Sequence, residues 1–200
     1  MRTTTEVTPA VRTEPTGRPR VAIITGSTRP GRKAGAVARW ILDIAARRDD
    51  AEFEVVDIAD YALPHLDEPM PPRNGRYDRP HTRAWARKIG SADAFVFVTP
   101  EYNGSIPGAL KDALDFLYAE WNGKAAGLVG YGIQGGTRAV GHLRQVLGDL
   151  VVTDVRSAVA LTFADDFQDY TRFTPSEPQA GNVTAMLDEL IACSDELRKP

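Results

Sequence analysis

The chain has 200 residues, of which 42% are hydrophobic, and a formal net charge of -3 at pH 7. A chain of this size and composition buries one sizeable core, so we expect a single domain. The slight negative charge argues against a general nucleic-acid binder, which carries a basic excess. Its one cysteine, Cys193, excludes an internal disulfide, and no Cys/His spacing predicts a metal site.

The sequence predicts neither a membrane span nor a secretory signal. No apolar stretch approaches the roughly 20 residues that cross a bilayer. Residues 1–19 are rich in Thr, Pro and Arg and lack the apolar stretch of a signal peptide, which favours a disordered N-terminal extension. We therefore expect a soluble, cytoplasmic protein with no membrane or nucleic-acid partner, whose single folded domain spans residues 20–200.

The first turn of this domain has the composition of an anion-binding loop. An apolar run from Val21 to Ile24 predicts a strand, and Gly-Ser-Thr-Arg-Pro-Gly-Arg-Lys follows over residues 26–33. A helix is predicted next, and its first turn offers unpaired N–H groups to a phosphate. A nucleotide-triphosphate P-loop is disfavoured, because Arg32 and Lys33 stand where it needs Lys and a magnesium-binding hydroxyl. Taken alone, this segment is compatible with two interpretations, a phosphate site and an ordinary surface turn.

The rest of the chain alternates between predicted helices and strands. Apolar residues at helical spacing predict helices over residues 36–45, 82–90, 108–118, 137–147 and 183–197. Short apolar runs predict strands over residues 53–58, 94–99, 125–130 and 151–155, with residues 158–161 as a further part of the fifth strand. Such alternation requires parallel pairing with right-handed crossovers, which predicts a doubly wound α/β domain with helices on both faces of the sheet.

Three unusual turns follow the first, third and fourth predicted strands. The carboxyl ends of parallel strands meet at one edge of the sheet, where ligands bind in this fold class. The second turn, residues 100–107, offers the flat ring of Tyr102, the amide of Asn103 and the backbone freedom of Gly104, but no pair of nucleophile and base. A bound cofactor that carries the chemistry explains three such turns better than three independent surface turns do.

The third turn also matches a dinucleotide-binding fingerprint. Gly130, Gly132 and Gly135 have the Gly-x-Gly-x-x-Gly spacing, and Asp154 lies about 20 residues further along the chain. The fingerprint normally occupies the opening strand–turn–helix unit, however, and here it would leave the other two turns without a role. We therefore favour a nicotinamide nucleotide as a visiting substrate over a resident dinucleotide.

Together the three turns resemble those of the NADPH-dependent FMN reductase family of flavodoxin-like flavoproteins, which includes quinone, azo and chromate reductases. The resemblance covers roughly residues 21–161 and is carried by Gly26–Arg32, Pro100–Lys111 and Gly132–Gly136. The second motif is the most specific, because its match is long and ungapped. The resemblance implies a five-stranded parallel sheet of order 2-1-3-4-5, with FMN bound at its edge.

The resemblance also implies which residues bind the cofactor. Those that would hold the FMN phosphate are Ser27, Arg29, Gly31 and Arg32, and those that would line the isoalloxazine ring are Pro100, Glu101, Tyr102, Asn103, Gly104, Gly132, Gln134, Gly135 and Gly136. This chain departs from the commoner family pattern at Arg32 and Ala34, where many relatives carry Ser and Asn. The flavin itself would carry the chemistry, with no catalytic side chain and no metal.

The function implied is a two-step NAD(P)H oxidoreductase. NADPH or NADH passes hydride to FMN and leaves, and a small acceptor then collects the electrons. The acceptor classes are free flavin, quinones, azo compounds and metal oxyanions. Relatives assemble as dimers or tetramers, so we expect a homodimer or homotetramer. The alternatives are a flavodoxin-type electron carrier, which binds FMN without turning over nicotinamide, and a non-redox phosphate-binding module.

Overall fold

The computed structural model of the chain describes residues 17–199. The elements of the main sheet and its helices are, in chain order, β1 (Arg20–Thr25), α1 (Ala34–Ala45), β2 (Glu52–Asp57), α2 (Pro80–Gly90), β3 (Ala94–Pro100), α3 (Gly108–Asp115), β4 (Ala125–Gly132), α4 (Thr137–Asp149) and β5 (Thr153–Thr162). A short helix and a small hairpin follow as α5 (Phe163–Asp166), β6 (Phe167–Gln168) and β7 (Arg172–Phe173), and α6 (Pro178–Arg198) ends the fold. Short 3-10 turns at Ile58–Tyr61 and Pro72–Asn74 interrupt the segment between β2 and α2.

The five main strands are parallel and lie in the order β2-β1-β3-β4-β5. This order confirms the doubly wound, flavodoxin-like sheet expected from the sequence. Strands β3 and β4 lie in the middle of the sheet, and all their residues are buried because helices cover both faces. The reversal of strand order between β1 and β3 places their carboxyl ends side by side at one edge.

Two hydrophobic layers hold the helices on the sheet. Helices α2, α3 and α4 pack on one face around the fully buried Trp85 and Trp121. Helices α1 and α6 pack on the other face, where Ile41 of α1 and Met186 of α6 are fully buried. The first turn of α1, at one end of this second layer, is therefore fixed relative to the sheet edge by core packing.

Strand β5 is continuous, whereas the sequence divided it into residues 151–155 and 158–161. Its pairing with β4 shifts register between Ala126 and Leu128, which explains the break in the apolar pattern. The carboxylate of Glu189 on α6 accepts hydrogen bonds from the N–H and hydroxyl of Ser157 within this irregular stretch.

The predicted start of β5 at Val151 is wrong, because Val151 belongs to the end of α4. Its N–H donates to Gly148, and the N–H of Val152 donates to Leu147, which is a Schellman cap. Val151 has φ 55°, a backbone conformation that disfavours a β-branched side chain, and it is exposed. Val151 and Val152 resemble strand residues because they are apolar. No glycine follows the end of α4, and glycine is the usual residue at this position of the cap.

Helix α5 and the β6–β7 hairpin were not predicted, because two-residue strands have no detectable periodicity. The buried carboxylate of Asp166 holds this segment in place. It accepts hydrogen bonds from the Thr162 N–H at 2.8 Å, the Ser176 N–H at 3.0 Å and the Gln179 side-chain amide at 3.2 Å. Helix α6 also begins earlier than the predicted Val183, at Pro178, a residue suited to a first helical turn.

The predicted N-terminal extension falls largely outside the described part of the chain, which begins at Gly17. Within it, the carbonyl of Pro19 accepts a hydrogen bond from the N–H of Glu52, and the carbonyl of Gly17 accepts one from Arg198. A search of residues 17–199 finds no helix with the length and apolarity to cross a membrane.

Candidate active site

Three loops meet in a cleft at the carboxyl edge of the sheet. We call it the central cleft, and its volume is about 560 Å³, within the range typical of small-molecule sites. It is bounded by the loop after β1, the loop after β3, the end of β4 and the β6–β7 hairpin. The lining residues are Arg29, Arg32, Lys33, Pro100, Glu101, Tyr102, Tyr131, Gly132, Phe163, Tyr170 and Thr171.

The start of α1 makes one wall of the central cleft strongly attractive to an anion. The N-cap residue Lys33 makes no side-chain hydrogen bond to this helix, and the positive end of the helix dipole lies at this wall. Arg29, Arg32 and Lys33 all line the cleft beside it. The helix dipole and three cationic side chains therefore act in the same sense.

Arg32 differs from its neighbours because it is paired within the protein. Its guanidinium donates to the carboxylate of Asp57, at the end of β2, with a distance of 2.5 Å. Burial pushes the pKa of Asp57 up, but the hydrogen bonds from Arg32 and from the Ala59 N–H outweigh it and leave that pKa below its ordinary value. Asp57 thus neutralises Arg32, and the pair ties the loop after β1 to β2.

Arg29 and Lys33 have no carboxylate partner within residues 17–199. Glu101 lies in the cleft lining, but its carboxylate is bound to Arg138 of α4, at 2.7 Å from one guanidinium nitrogen. The cleft therefore presents two positive charges without a carboxylate partner next to the start of α1. This arrangement fits a phosphate dianion such as that of FMN.

A partly buried hydrogen bond connects the loop after β1 to the loop after β3. Ser27 is fully buried, and its hydroxyl lies 2.9 Å from the hydroxyl of Tyr102, while the Arg29 N–H donates to Ser27 at 3.3 Å. The Ser27 hydroxyl therefore serves as a link between loops in this structure. Its predicted contact with the phosphate stays a prediction.

Asn103 and Gly104 form a tight turn rather than a flexible loop. The backbones of Tyr102 and Ser105 exchange two hydrogen bonds, at 2.9 and 3.1 Å, around them. Asn103 has φ 50° and Gly104 has φ 80°, as a type I′ turn requires, and Asn-Gly is the sequence best suited to it. The guanidinium of Arg138 packs over Gly104, where an added Cβ would approach it to 3.4 Å.

Part of the predicted ring-binding set lines a second, adjacent cleft. This outer cleft, of about 450 Å³, is lined by Glu101, Asn103, Gly104, Ile133, Gln134 and Arg138. Glu101 lines both clefts. Its carboxylate also accepts a hydrogen bond from the Arg138 N–H at the start of α4. Glu101 therefore contacts the start of α4, and its place in the lining of both clefts leaves its contact with the isoalloxazine ring a prediction.

Gly136 has a structural reason for its identity. Its φ is 70°, and an added Cβ would lie 2.6 Å from the backbone nitrogen of Tyr131. Any other residue would push the start of α4 away from β4. Among the described lining residues of the two clefts, Gly31, Gly135 and Gly136 are absent, so their cofactor contacts remain predictions.

Of the predicted cofactor-binding residues, the structure brings Arg29, Arg32, Pro100, Glu101, Tyr102 and Gly132 together in the central cleft. It also adds residues that sequence reasoning missed: Lys33, Tyr131, Phe163, Tyr170 and Thr171. Lys33 and Tyr131 adjoin the predicted motifs directly, so a wider margin around each motif would have included them. The other three belong to α5 and the hairpin, which the sequence did not predict.

Tyr131 is a buried phenol between the end of β4 and the start of α1. Burial raises the pKa of Tyr131, and the opposing influences are the N–H groups of Ala34 and Lys33 and the charge of Arg29. The Tyr131 hydroxyl therefore lies against the N–H groups at the start of α1, beside the predicted phosphate site. Tyr131 stays a neutral phenol at physiological pH and supplies a polar group to this wall.

Asp154, the acidic residue that a dinucleotide-binding site would need for the ribose, is already paired within the protein. Asp154 forms an ion pair with Arg144 of α4, and the Arg144 side chain also donates to the carbonyl of Val155. Asp154 therefore fastens α4 to β5, and a ribose hydroxyl has no free carboxylate at this position. The glycine spacing that suggested the fingerprint instead accommodates the close approach of the third loop to β4.

Known proteins share the sequence and fold of this chain. The sequence profile of the family described as NADPH-dependent FMN reductase matches residues 19–166. An NAD(P)H-dependent FMN reductase of Schizosaccharomyces pombe is 42% identical over 150 residues, which cover 74% of this chain and 75% of the relative. An NAD(P)H:quinone oxidoreductase of Solanum tuberosum is 38% identical over 132 residues, covering 64% of this chain and 66% of the relative.

The fold is similar to that of the flavoenzyme NAD(P)H:(acceptor) oxidoreductase FerB from Paracoccus denitrificans. The TM-score is 0.70 at 24% identity, over 89% of this chain and 98% of that chain. The matches in sequence favour a reductase over an electron carrier or a non-redox phosphate-binding module. The chain belongs to the NADPH-dependent FMN reductase family, with FMN as its cofactor and NAD(P)H as its reductant.

Proposed function

We propose that this enzyme delivers the electrons of NAD(P)H to a small neutral acceptor of the quinone class. The observation that carries the proposal is that the central cleft is lined by cations and by aromatic rings together. The cations without a carboxylate partner are Arg29 and Lys33, and the rings include Tyr102, Tyr131 and Phe163. Relatives whose names describe quinone reductases, from Solanum tuberosum and Escherichia coli, support the same class of acceptor.

The residues of this chain have distinct tasks in binding the cofactor. Arg29, Lys33 and the start of α1 would hold the FMN phosphate, since the two side chains have no carboxylate partner within residues 17–199 and the helix start adds the positive end of its dipole. Arg32 would contribute less, because Asp57 already neutralises it. Pro100, Tyr102 and Gly132 would flank the ring from the central cleft, and Asn103, Gly104 and Gln134 would do so from the outer cleft.

Bound FMN supplies the redox chemistry, since its ring accepts hydride from a nicotinamide and gives two electrons to an acceptor. The overall exchange converts NAD(P)H, one proton and a quinone into NAD(P)+ and a hydroquinone. The protein holds the groups in place: the Ser27–Tyr102 hydrogen bond joins the loops after β1 and β3, and the Glu101–Arg138 pair joins the loop after β3 to α4. These two contacts pre-organise the cleft for its ligands.

Anaerobic absorbance spectra of the FMN-loaded protein test this proposal. We expect NADPH or NADH to bleach the flavin colour, and a stoichiometric addition of 1,4-naphthoquinone to restore it. Bleaching that an azo dye or free flavin reverses, while the quinone does not, would assign another acceptor class. Absence of bleaching by either nicotinamide would contradict the reductase activity itself and favour the electron carrier.

We further propose that the enzyme assembles as a homodimer or homotetramer and works in the cytoplasm. Leu66 and Met70, in the segment between β2 and α2, are exposed large apolar residues and support a contact with another subunit. The need for NAD(P)H supports a location where that reductant is produced. Sedimentation analysis of the FMN-loaded protein and fractionation of the source cells test the two proposals separately.

A further inference from the structure

The β6–β7 hairpin places an exposed tyrosine at the rim of the central cleft. Tyr170 lines the cleft together with Phe163 and Thr171, yet 65% of its surface is open to solvent. Tyrosine is enriched at binding surfaces, because its ring is apolar and its hydroxyl is polar. The family profile ends at residue 166, so this tyrosine belongs to a part of the chain that the profile does not describe.

The backbone of the hairpin turn is unfavourable for the residues it carries. Asp169 has φ 51° and Tyr170 has φ 55°, and the Thr171 N–H donates to the Gln168 carbonyl across the turn at 3.0 Å. Positive φ at both central positions is the type I′ geometry, in which the second position strongly prefers glycine. A bulky residue there is an outlier, and strain of this kind is found preferentially at binding sites.

A series of aromatic contacts connects the turn to helix α1. The ring of Tyr170 contacts Phe163 with centroids 6.3 Å apart, and Phe163 contacts Phe167 at 5.0 Å. Phe167 in turn contacts Phe173 at 5.1 Å, which contacts Trp40 of α1 at 5.3 Å. Together with the Asp166 hydrogen bonds, these contacts fix the base of the hairpin. Tyr170 is therefore held over the cleft on a rigid support.

The charges of the cleft indicate what Tyr170 faces. The uncompensated cations Arg29 and Lys33 match the two negative charges of the FMN phosphate, so the loaded cleft has no charge left for a second anion. The hairpin contributes an aromatic ring and a hydroxyl to the lining, from Tyr170 and Thr171. A neutral planar ring suits this surface, because stacking on tyrosine needs a flat partner and no counter-charge.

We propose that Tyr170 determines acceptor specificity by stacking on the neutral planar ring of a quinone. The proposal rests on the proposed function, and it adds a residue that selects one acceptor class over others. Acceptors without a planar ring, such as ferricyanide, gain nothing from this contact.

The test compares Tyr170→Gly with the wild-type protein in the FMN-loaded state. Glycine suits the turn, so we expect the melting temperature to rise by roughly 2 °C or more. We expect the ratio of kcat/KM for 1,4-naphthoquinone to kcat/KM for ferricyanide to fall at least fivefold. The rise in melting temperature that excess naphthoquinone produces in the wild-type protein should shrink in parallel, because a bound ligand stabilises the folded state. Tyr170→Phe, which keeps the ring, should retain the wild-type ratio.

Val151→Gly is the matched control. Val151 is likewise exposed at positive φ, but it ends α4 and is absent from the described cleft linings. We expect it to raise the melting temperature without changing the ratio of the two acceptors.

Three results would overturn the proposal. An unchanged ratio in Tyr170→Gly would show that the tyrosine does not select the acceptor, and a lower melting temperature would give it a structural role. A higher KM for NAD(P)H at an unchanged ratio would place the nicotinamide there. A wild-type protein that oxidises NAD(P)H with ferricyanide but not with quinone would instead remove the proposed function, which distinguishes the two failures.

Discussion

Arg29 and Arg32 lie three residues apart in one loop, yet only Arg32 of the two is paired with a carboxylate within residues 17–199. Arg32 is neutralised by Asp57, whereas Arg29 is exposed and has no carboxylate partner within the described chain. Sequence spacing assigns both to the phosphate site. The structure ranks them, because a charge already paired within the protein gains less from an incoming anion.

We expect Arg29→Ala to weaken FMN binding about tenfold or more, the effect of losing one hydrogen bond to a charged group. Titration of flavin fluorescence against the flavin-free protein measures the affinity. Arg47→Ala, which removes an exposed charge at the far end of α1, should leave the affinity unchanged. Equal affinities for Arg29→Ala and the wild-type protein would remove Arg29 from the phosphate site.

The Arg32–Asp57 pair should make stability depend on pH. The pKa of Asp57 lies below its ordinary value of 3.8 in the folded protein, so its stabilising effect is complete above that value and is lost as pH falls through the folded pKa. The side-chain oxygen of an asparagine can still accept the hydrogen bond that the Ala59 N–H donates to Asp57. We therefore expect Asp57→Asn to lower the free energy of unfolding by only about 1 kcal/mol at neutral pH.

Urea unfolding at several pH values checks this prediction. The difference between the variant and the wild-type protein should narrow as the pH drops below about 4. A difference that stays constant down to the acid limit would show that the charge of Asp57 is not its source.

At the scale of secondary-structure elements, the hairpin depends on one buried carboxylate. Asp166 is fully buried and accepts hydrogen bonds from the segments before and after the hairpin. Strands of two residues cannot hold this geometry alone. The cleft wall that carries Phe163 and Tyr170 therefore owes its position to a polar anchor beneath it.

We expect Asp166→Asn to cost about 2 kcal/mol of unfolding free energy, because an amide nitrogen cannot accept and leaves buried donors unpaired. Amide hydrogen exchange should quicken over residues 163–173, which would localise the effect. Asp165→Asn is the control: Asp165 is exposed, so the expected cost is below about 0.5 kcal/mol. Equal losses in both variants would contradict the anchoring role of Asp166.

At the scale of the whole molecule, the central cleft couples several elements, so cofactor binding should stabilise the entire domain. At 100 times its dissociation constant, FMN should add about 2.7 kcal/mol, which raises the melting temperature by about 5–10 °C. Riboflavin lacks the phosphate and should give a clearly smaller shift at the same concentration. Identical shifts for the two flavins would show that the cations and the start of α1 do not hold the phosphate.

Much of the fold was predictable because the periodicity of buried strands and helices is a local property of the sequence. Residues Ala94–Val98 are apolar at every position, which marks a central strand covered on both faces. The predictions failed where local signals were weak or misleading. Val151 looks like a strand residue, but its backbone closes a helix, and the hairpin strands are too short to show a pattern.

The sequence by itself determined the doubly wound sheet, the three loops at its carboxyl edge and the family to which the chain belongs, because motifs and apolar spacing are written along the chain. Tertiary structure decided which charges in those loops are free. Asp57 comes from the neighbouring strand and Arg138 from α4, so the pairings that neutralise Arg32 and Glu101 depend on the folded register. It also decided that Tyr170 reaches the cleft, since the Asp166 hydrogen bonds and the packing of Phe163, Phe167 and Phe173 hold that hairpin at the sheet edge.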